Sequence, residues 1–465
     1  MNIRGSEIAL ASKGRILQGD PGQLVTGFAI DSRQIVPGDF FIPFKGEHTD
    51  GHLYLNDAFK GGAVGAFIEK SVDFKPQVES SFVLIEVDQS LLALQRLSSW
   101  YRKQFRLTVV GITGSSGKTT TKDYVAGVLS AKYSVLKTEG NLNNEIGLPL
   151  TLLKMKPNHQ VAVLEMGMSA SGEIEHLCSL ADPSIGVITN IGEAHIELLG
   201  SIEAITKAKG ELLDYLGSGG VAVLNGDDPR LLKLGERYPG KVYYYGFNQG
   251  DIQGLELSQR GENSFFRVRF PDKSEGWFKA PLPGRESVSD ALAALSVGYI
   301  LGLNMPEMQG GLDMSQTTSG RLQVYHNQDE FVVIDDSYNA NPSSVKAAVD
   351  VLYALGGRNT VAVLGDMLEL GFTAEQAHQD VGRYLAESGV TYLITVGEMM
   401  RYAAREALAC GMTVYSYNNH QDALARLYRL PLNRGWHILI KGSRGMKMDI
   451  IASFLLGQNR EGAGG

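Results

Sequence analysis

The chain has 465 residues, with 43 Lys plus Arg against 51 Asp plus Glu and a formal net charge of −8. That balance excludes a nucleic-acid binder relying on a basic face, so any anionic ligand must be held locally. A hydrophobic fraction of 43% with 20% charged residues excludes a disordered chain, and the length at roughly 100–200 residues per domain predicts two to four domains.

Residues 1–17 interrupt their apolar positions with Arg4, Glu7, Lys13 and Arg15, so no signal-peptide core is expected. Apolar pieces at 24–30, 40–44 and 63–68, separated by Pro37-Gly38-Asp39 and a polar stretch at 45–52, predict a small α/β domain over 1–84. From residue 107 the pattern changes. Short apolar runs at 107–110, 161–164, 185–189 and 221–224 each end in a polar residue, which predicts parallel strands alternating with helices in a central domain, 85–314. Within it, residues 241–283 include the alternation Phe265-Phe266-Arg267-Val268-Arg269-Phe270 and predict antiparallel strands before a helix over 287–301. The longest apolar stretch, 291–303, is too short to cross a bilayer. A second series of runs at 331–334, 361–364, 392–396 and 437–440 predicts a third α/β domain over 315–458, followed by a Gly-rich tail at 459–465. Cys178 and Cys410 are the only cysteines, in no paired motif, which argues for a reducing, cytoplasmic setting.

In open α/β sheets the ligand crevice lies beyond the carboxyl ends of the strands. The run Val109-Val110-Gly111-Ile112-Thr113-Gly114-Ser115-Ser116-Gly117-Lys118-Thr119-Thr120 passes from an apolar strand through small residues into a helix. Backbone amides from Gly114 to Thr120 can turn onto phosphate oxygens, Lys118 can reach the β and γ phosphates, and Thr119 can offer its hydroxyl to Mg²⁺. The strict P-loop pattern is missed, because Ile112 stands where its first glycine belongs. Glu165 follows a second strand and can face Mg²⁺, and His195 follows a third; each is open to a plain surface or structural reading. At about 100° per residue, Ile202, Ile205, Ala208, Leu212 and Leu213 share one helical arc, and Lys209 falls inside it. Such a lysine either snorkels to water or has a lowered pKa. Three polar clusters remain, each with a turn or cap as its alternative: residues 138–147 with Asn141, Asn143 and Asn144; residues 335–342 with Asp336 and Asn339; and the cationic turn Lys441-Gly442-Ser443-Arg444.

Taken in order, Gly111 to Thr121, then Thr138-x-Gly140-Asn141-x-Asn143-Asn144-x-Ile146-Gly147-x-Pro149, then Glu165-Met166-Gly167-Met168, His195 and Ala208-Lys209-Gly210-Glu211, resemble the Mur ligases over nearly the whole chain. Asp336-Ser337-Tyr338-Asn339-Ala340-Asn341-Pro342, Gly365-Asp366-Met367-Leu368-Glu369-Leu370-Gly371 and Lys441-Gly442-Ser443-Arg444 resemble the branch that adds D-alanyl-D-alanine to UDP-N-acetylmuramoyl-tripeptide. The resemblance implies three α/β domains: a small N-terminal substrate domain, a P-loop-type central domain with a mostly parallel sheet, and a Rossmann-like C-terminal domain. It implies ATP and two Mg²⁺ ions, with Thr119, Glu165, His195 and a Lys209 carbamylated by CO₂ at the metals. It also implies nucleotide contacts from Asp290, Arg321, Asp336 and Asn339, with Arg321 reaching the nucleotide as the third domain closes. Substrate contacts are implied for Ser32, Arg33, Asp50, His52, Asn141, Asn143, Asn144, Lys441, Ser443 and Arg444.

Two positions depart from the family pattern. Arg285 stands near the Pro283-Gly284 turn where a histidine is usual, and Asp290 replaces an adenine-contacting asparagine before Ala291-Leu292-Ala293-Ala294. An ionised Asp accepts but cannot donate. The expectation is a monomeric ligase working through an acyl phosphate, without nucleic acid or membrane insertion. The rival readings are another amide ligase of the family, either third-residue-adding or folylpolyglutamate-type, and a nucleotide-gated ATPase switch.

Overall fold

The computed structural model describes residues 2–46, 49–73, 76–194, 196–327, 331–432 and 435–457. Among these residues the strands form one two-stranded ribbon and three larger sheets of five, nine and six strands. The five-stranded sheet begins with Arg15–Gln18 at an antiparallel edge and continues in parallel through Val83–Val87, Gly65–Glu69, Asp39–Phe41 and Gly27–Ala29. The expected domain boundary after residue 84 therefore falls inside the strand Val83–Val87. Helix Ser90–Arg102 follows, and its Ala93, Leu94 and Leu97 join one core with Phe40, Phe67 and Val83 on one side and Val109, Ala162 and Leu164 of the central sheet on the other.

The nine-stranded sheet is parallel from Val135–Lys137 through Val161–Glu165, Thr108–Thr113, Ile185–Ile188 and Val221–Asn225 to Lys241–Gly246. Its strands are continuous apolar runs because both faces are covered. Val109, Ala162, Leu164 and Ile188 enter one core, while Val110, Ile112, Val161, Val163 and Val187 enter a second beneath helices Lys118–Ser130 and Arg285–Ile300. Residues 241–283 are not wholly antiparallel. Lys241–Gly246 extends the parallel sheet and Ile252 opens in parallel with it; only Ile252–Arg260, Asn263–Arg269 and Glu275–Ala280 form the expected antiparallel meander.

The six-stranded sheet has one antiparallel edge, Gln323–Asn327, beside Phe331–Asp336, and runs on in parallel through Trp436–Lys441, Thr360–Gly365, Tyr392–Val396 and Thr413–Tyr417. Register aligns the chemistry. Glu165 pairs with Ile112 at the tips of two central strands, and Asp336 pairs with Lys441 at the tips of two C-terminal strands. No helix among the described residues is long and apolar enough to cross a membrane.

Candidate functional site

The strand Thr108–Thr113 delivers the chain into a loop whose two glycines are conformationally required: Gly114 has φ 148° and Gly117 has φ 78°. The loop is laced to the end of the neighbouring strand. The amides of Ser115 and Ser116 donate to the backbone and side-chain oxygens of Asn190 at 3.0 and 2.9 Å, and Thr189 Oγ1 donates to Ser116 O at 2.5 Å. Those two amides are thus committed, which narrows the expected phosphate cradle. Helix Lys118–Ser130 has its first intrahelical bond from Thr121 N to Gly117 O, so the amides of Lys118, Thr119 and Thr120 come before it and carry the positive end of the helix dipole.

Lys118 Nζ and Lys209 Nζ both donate to Gly114 O, at 2.7 and 3.0 Å. Lys209 is 1% exposed and so does not snorkel. Ser201 caps its helix, Ile202–Leu216, by accepting from Ala204 N, and the apolar arc of that helix carries Lys209 inward. Burial, reinforced by the Lys118 charge, holds the Lys209 amine well below the usual lysine value, and burial also lowers Lys118. Glu165 is 3% exposed; Asn143 Nδ2 donates to its Oε1 at 2.8 Å, and its Oε2 has no hydrogen-bond partner. A buried carboxylate oxygen without a hydrogen bond beside a phosphate loop, its nearest cation Lys122 Nζ at 3.8 Å, fits a hard cation. Among the described residues no three His, Cys, Asp or Glu side chains converge on one point; Mg²⁺ commonly takes one or two carboxylates with phosphate and water. His195 lies outside the described residues.

The C-terminal domain forms the opposite wall of a cavity of about 400 Å³ lined by Ser115–Thr120, Asn190, Glu286, Asp290, Arg321, Asp336, Asn339, Asn341 and Lys441. Asn341 caps helix Pro342–Gly356 and also donates across the domains to Ser116 Oγ at 2.9 Å. Arg321 Nη2 donates to Thr119 Oγ1 at 3.3 Å, and its guanidinium lies 4.0 Å from the Tyr338 ring centroid. Lys441 is not a free substrate ligand. Its amine is buried on Asp336 Oδ2 at 2.5 Å and Asn339 O at 2.9 Å. Ser443 is likewise committed, accepting from Leu368 N and donating to Ala340 O, whereas the Arg444 side chain is exposed and 5.3 Å from the Tyr338 ring. Asp290 lies against Gly117 and accepts from Thr121 Oγ1 at 2.8 Å. Burial raises its carboxyl well above the ordinary carboxylate value, and only in the neutral form does a carboxyl donate as well as accept. Arg285 instead stacks on Phe247 at 3.8 Å.

Residues 112–298 match the Mur ligase middle domain, and residues 320–444 match the glutamate ligase domain of Mur ligases. The UDP-N-acetylmuramoyl-tripeptide--D-alanyl-D-alanine ligase of Bacillus subtilis is 38% identical over 93% of this chain and 93% of its own. The chain belongs to the Mur ligase family. The Escherichia coli protein of the same name is 34% identical over 91% of this chain and 92% of its own. The structure of MurF from Acinetobacter baumannii superposes with a TM-score of 0.88 at 30% identity, covering 98% of this chain and 99% of that one. MurF ligase from Thermotoga maritima, in complex with ADP, gives 0.81 at 27%, covering 93% and 98%.

In this Mur ligase several residues expected at substrate turn inward. His52 is 1% exposed, its Nδ1 bonded to Asp50 Oδ1 at 2.6 Å and its Nε2 accepting from Glu69 N, so neither ring nitrogen is open to a ligand. Asn143 holds Glu165, and the Asn144 side-chain oxygen accepts from the amides of Ile146 and Gly147 in the turn that leads into helix Gly147–Leu152. Ser32, Arg33 and Asn141 remain at least partly exposed, with Arg33 paired to Asp31 at 2.9 Å. The sequence reading missed Asn190, Lys122 and Asp123. Lys122 is one helical turn beyond Lys118 and 3.8 Å from Glu165 Oε2, a placement that i, i+4 spacing would have flagged.

Proposed function

We propose that this Mur ligase joins the amine of D-alanyl-D-alanine to the terminal carboxylate of UDP-N-acetylmuramoyl-tripeptide, converting ATP to ADP and phosphate. The observation that carries the reading is likeness along almost the full chain to relatives bearing that name, 38% identical over 93% of the chain in one case. The cavity supports it chemically, because one wall carries a phosphate loop and the other comes from a separate domain able to bring a second substrate.

The tripeptide carboxylate attacks the γ-phosphorus, ADP leaves and an acyl phosphate forms; the dipeptide amine then attacks the acyl carbon, loses a proton and expels phosphate. Catalysis of the first step is mainly positioning and charge stabilisation. The free amides of Lys118, Thr119 and Thr120 face the phosphates, and Lys118 leaves the Gly114 carbonyl to meet the transferring group. Two bound Mg²⁺ ions, held by Thr119, Glu165, His195 and Lys209, would supply charge neutralisation at the phosphate oxygens. Lys209 serves there as a carbamate, formed when its neutral amine adds CO₂ and releases a proton; its burial supports a neutral amine. Asp290, Arg321, Asp336 and Asn339 hold the nucleotide, Ser32, Arg33 and Asp50 the UDP-sugar, and Asn141 and Arg444 the peptide ends. Closing the two walls keeps water from the acyl phosphate. The enzyme acts as a monomer in the cytoplasm, a reducing setting that free Cys178 and Cys410 fit.

Phosphate release from MgATP with UDP-N-acetylmuramoyl-tripeptide, measured with and without D-alanyl-D-alanine and followed by mass analysis, tests the reading. Dipeptide-dependent release yielding the UDP-linked pentapeptide is expected. Release indifferent to both substrates would return the ATPase switch, and activity with another amine alone would move the protein within the family.

A further inference from the structure

The chain crosses from the central to the C-terminal domain between helix Met305–Asp313 and strand Gln323–Asn327, and this linker is fastened to the phosphate-loop helix at two points. At the first, Asp123, 1% exposed, accepts from Thr318 N at 2.9 Å and Thr318 Oγ1 at 2.8 Å through Oδ2, and from Lys137 Nζ at 2.8 Å through Oδ1. Lys137 Nζ also reaches Gln316 O at 3.4 Å. At the second, Arg321 donates to Thr119 Oγ1 in a single 3.3 Å bond, and its Nε has no partner. Thr119 and Asp123 are four residues apart and so share one helix face, along which residues 318–321 run.

The two fastenings differ in kind. The Asp123 end is buried, charge-assisted and double, and it lies a full turn from the cavity. The Arg321 end is long and single, and it ends on a hydroxyl of the cavity wall. Between and just beyond them, Gly320 and Leu322 have φ of 73° and 50°, the left-handed backbone where the chain turns sharply.

We propose that Asp123 is the positioning residue for closure of the C-terminal domain, a fixed pivot at Thr318 about which the Gly320–Leu322 turn carries Arg321 off Thr119 and onto the nucleotide. Lys122, 3.6 Å from Asp123 and 3.8 Å from Glu165 Oε2, sits between this pivot and the Glu165 carboxylate and faces both. The inference rests on the ligase reading only where activity is measured.

The test compares Asp123→Asn and Thr318→Val with the parent in the full chain. It reads the radius of gyration by small-angle X-ray scattering with and without a non-hydrolysable MgATP analogue, the analogue's Kd by calorimetry, and kcat. The parent is expected to compact on nucleotide. Both variants should bind the analogue within twofold of the parent, compact less, and lose at least tenfold in kcat. Parent-like compaction and kcat in both variants would overturn the pivot, as would a parent that does not compact. A loss of Kd matching the loss of kcat would reduce Asp123 to a support of the phosphate loop. Should Asp123→Asn not fold, Thr318→Val, on the linker itself, decides the matter alone. A parent that compacts but ligates a different amine would sink the proposed substrate and leave the pivot standing.

Discussion

Two lysines donating to one carbonyl, that of Gly114, define the chemistry at the residue scale. Burial, with the Lys118 charge added to it, disfavours the charged form of Lys209, which has no carboxylate in hydrogen-bond contact. A neutral amine is the form that adds CO₂, which the proposed carbamate requires. Lys209→Ala is expected to lose most ligase activity and to regain part of it with added short carboxylic acids, read by phosphate release; an equally active mutant would remove the carbamate. A second buried group sets a pH response. His378 donates from Nδ1 to Ala374 O and accepts at Nε2 from Met367 N, which commits both nitrogens of the neutral ring. Burial holds its pKa below the ordinary 6.5. As pH falls through 6.5 the unfolded chain takes up a proton that the fold refuses. Stability from this residue is therefore fully present above 6.5, and it falls with pH, by up to about 1.4 kcal/mol per unit, until the folded value is reached. The gap in thermal midpoint between the parent and His378→Gln should stay constant from about pH 7 to 8 and shift against the parent as pH falls below 6.5; a gap that does not change with pH would remove the linkage.

At the scale of elements, the buried pair of Asp336 and Lys441 joins neighbouring strand tips, and parallel register is what brings them together. Neither residue is near the other in sequence. Burial lowers the lysine, and the facing carboxylate opposes that shift. Removing one partner from such a pair strands the other charge, which costs about 3–5 kcal/mol. Lys441→Met should therefore lower the urea midpoint of the C-terminal domain by a corresponding amount with an unchanged slope. An unmoved midpoint would show that water already screens the pair. The same pair holds the turn around residues 339–341, so Asn341 meets Ser116 across the cavity as a consequence of sheet register.

For the whole molecule the decisive relation is between walls contributed by different domains. Beyond Asn341 and Arg321, the loop after strand Thr360–Gly365 abuts the central domain: Glu197 N donates to Glu369 O at 3.4 Å, and Gly371, at φ 51°, packs on Glu197. A side chain at 371 would be strained by its backbone and would meet the Glu197 Cβ at 3.1 Å. Gly371→Val should hold the domains apart. A misplacement of about 1 Å can cost on the order of 10²-fold in rate, so kcat should fall toward that extent while the KM for ATP changes little. Equal kcat in steady-state assays would show that this contact does not shape the closed site.

Much of the architecture was legible because strand and helix periods are local properties. The apolar runs at 161–164 and 437–440 became the buried strands Val161–Glu165 and Trp436–Lys441, and Gly114 and Gly117 took the backbone angles that a phosphate loop needs. The helical arc placed Lys209 inward, but whether it snorkelled depended on what covered that face. The sequence by itself determined which residue types stand at strand ends, because alternation and glycine placement are written along the chain. Only the tertiary structure decided their tasks: that Lys441 neutralises Asp336, that Asn143 steadies Glu165, that His52 is spent on Asp50 and Glu69, and that Asp123 grips the linker. Apart from the local Asp50–His52 bond, those choices depend on partners between 17 and 195 residues away, brought within hydrogen-bond reach by sheet register and domain packing, and a local pattern carries no record of such distances.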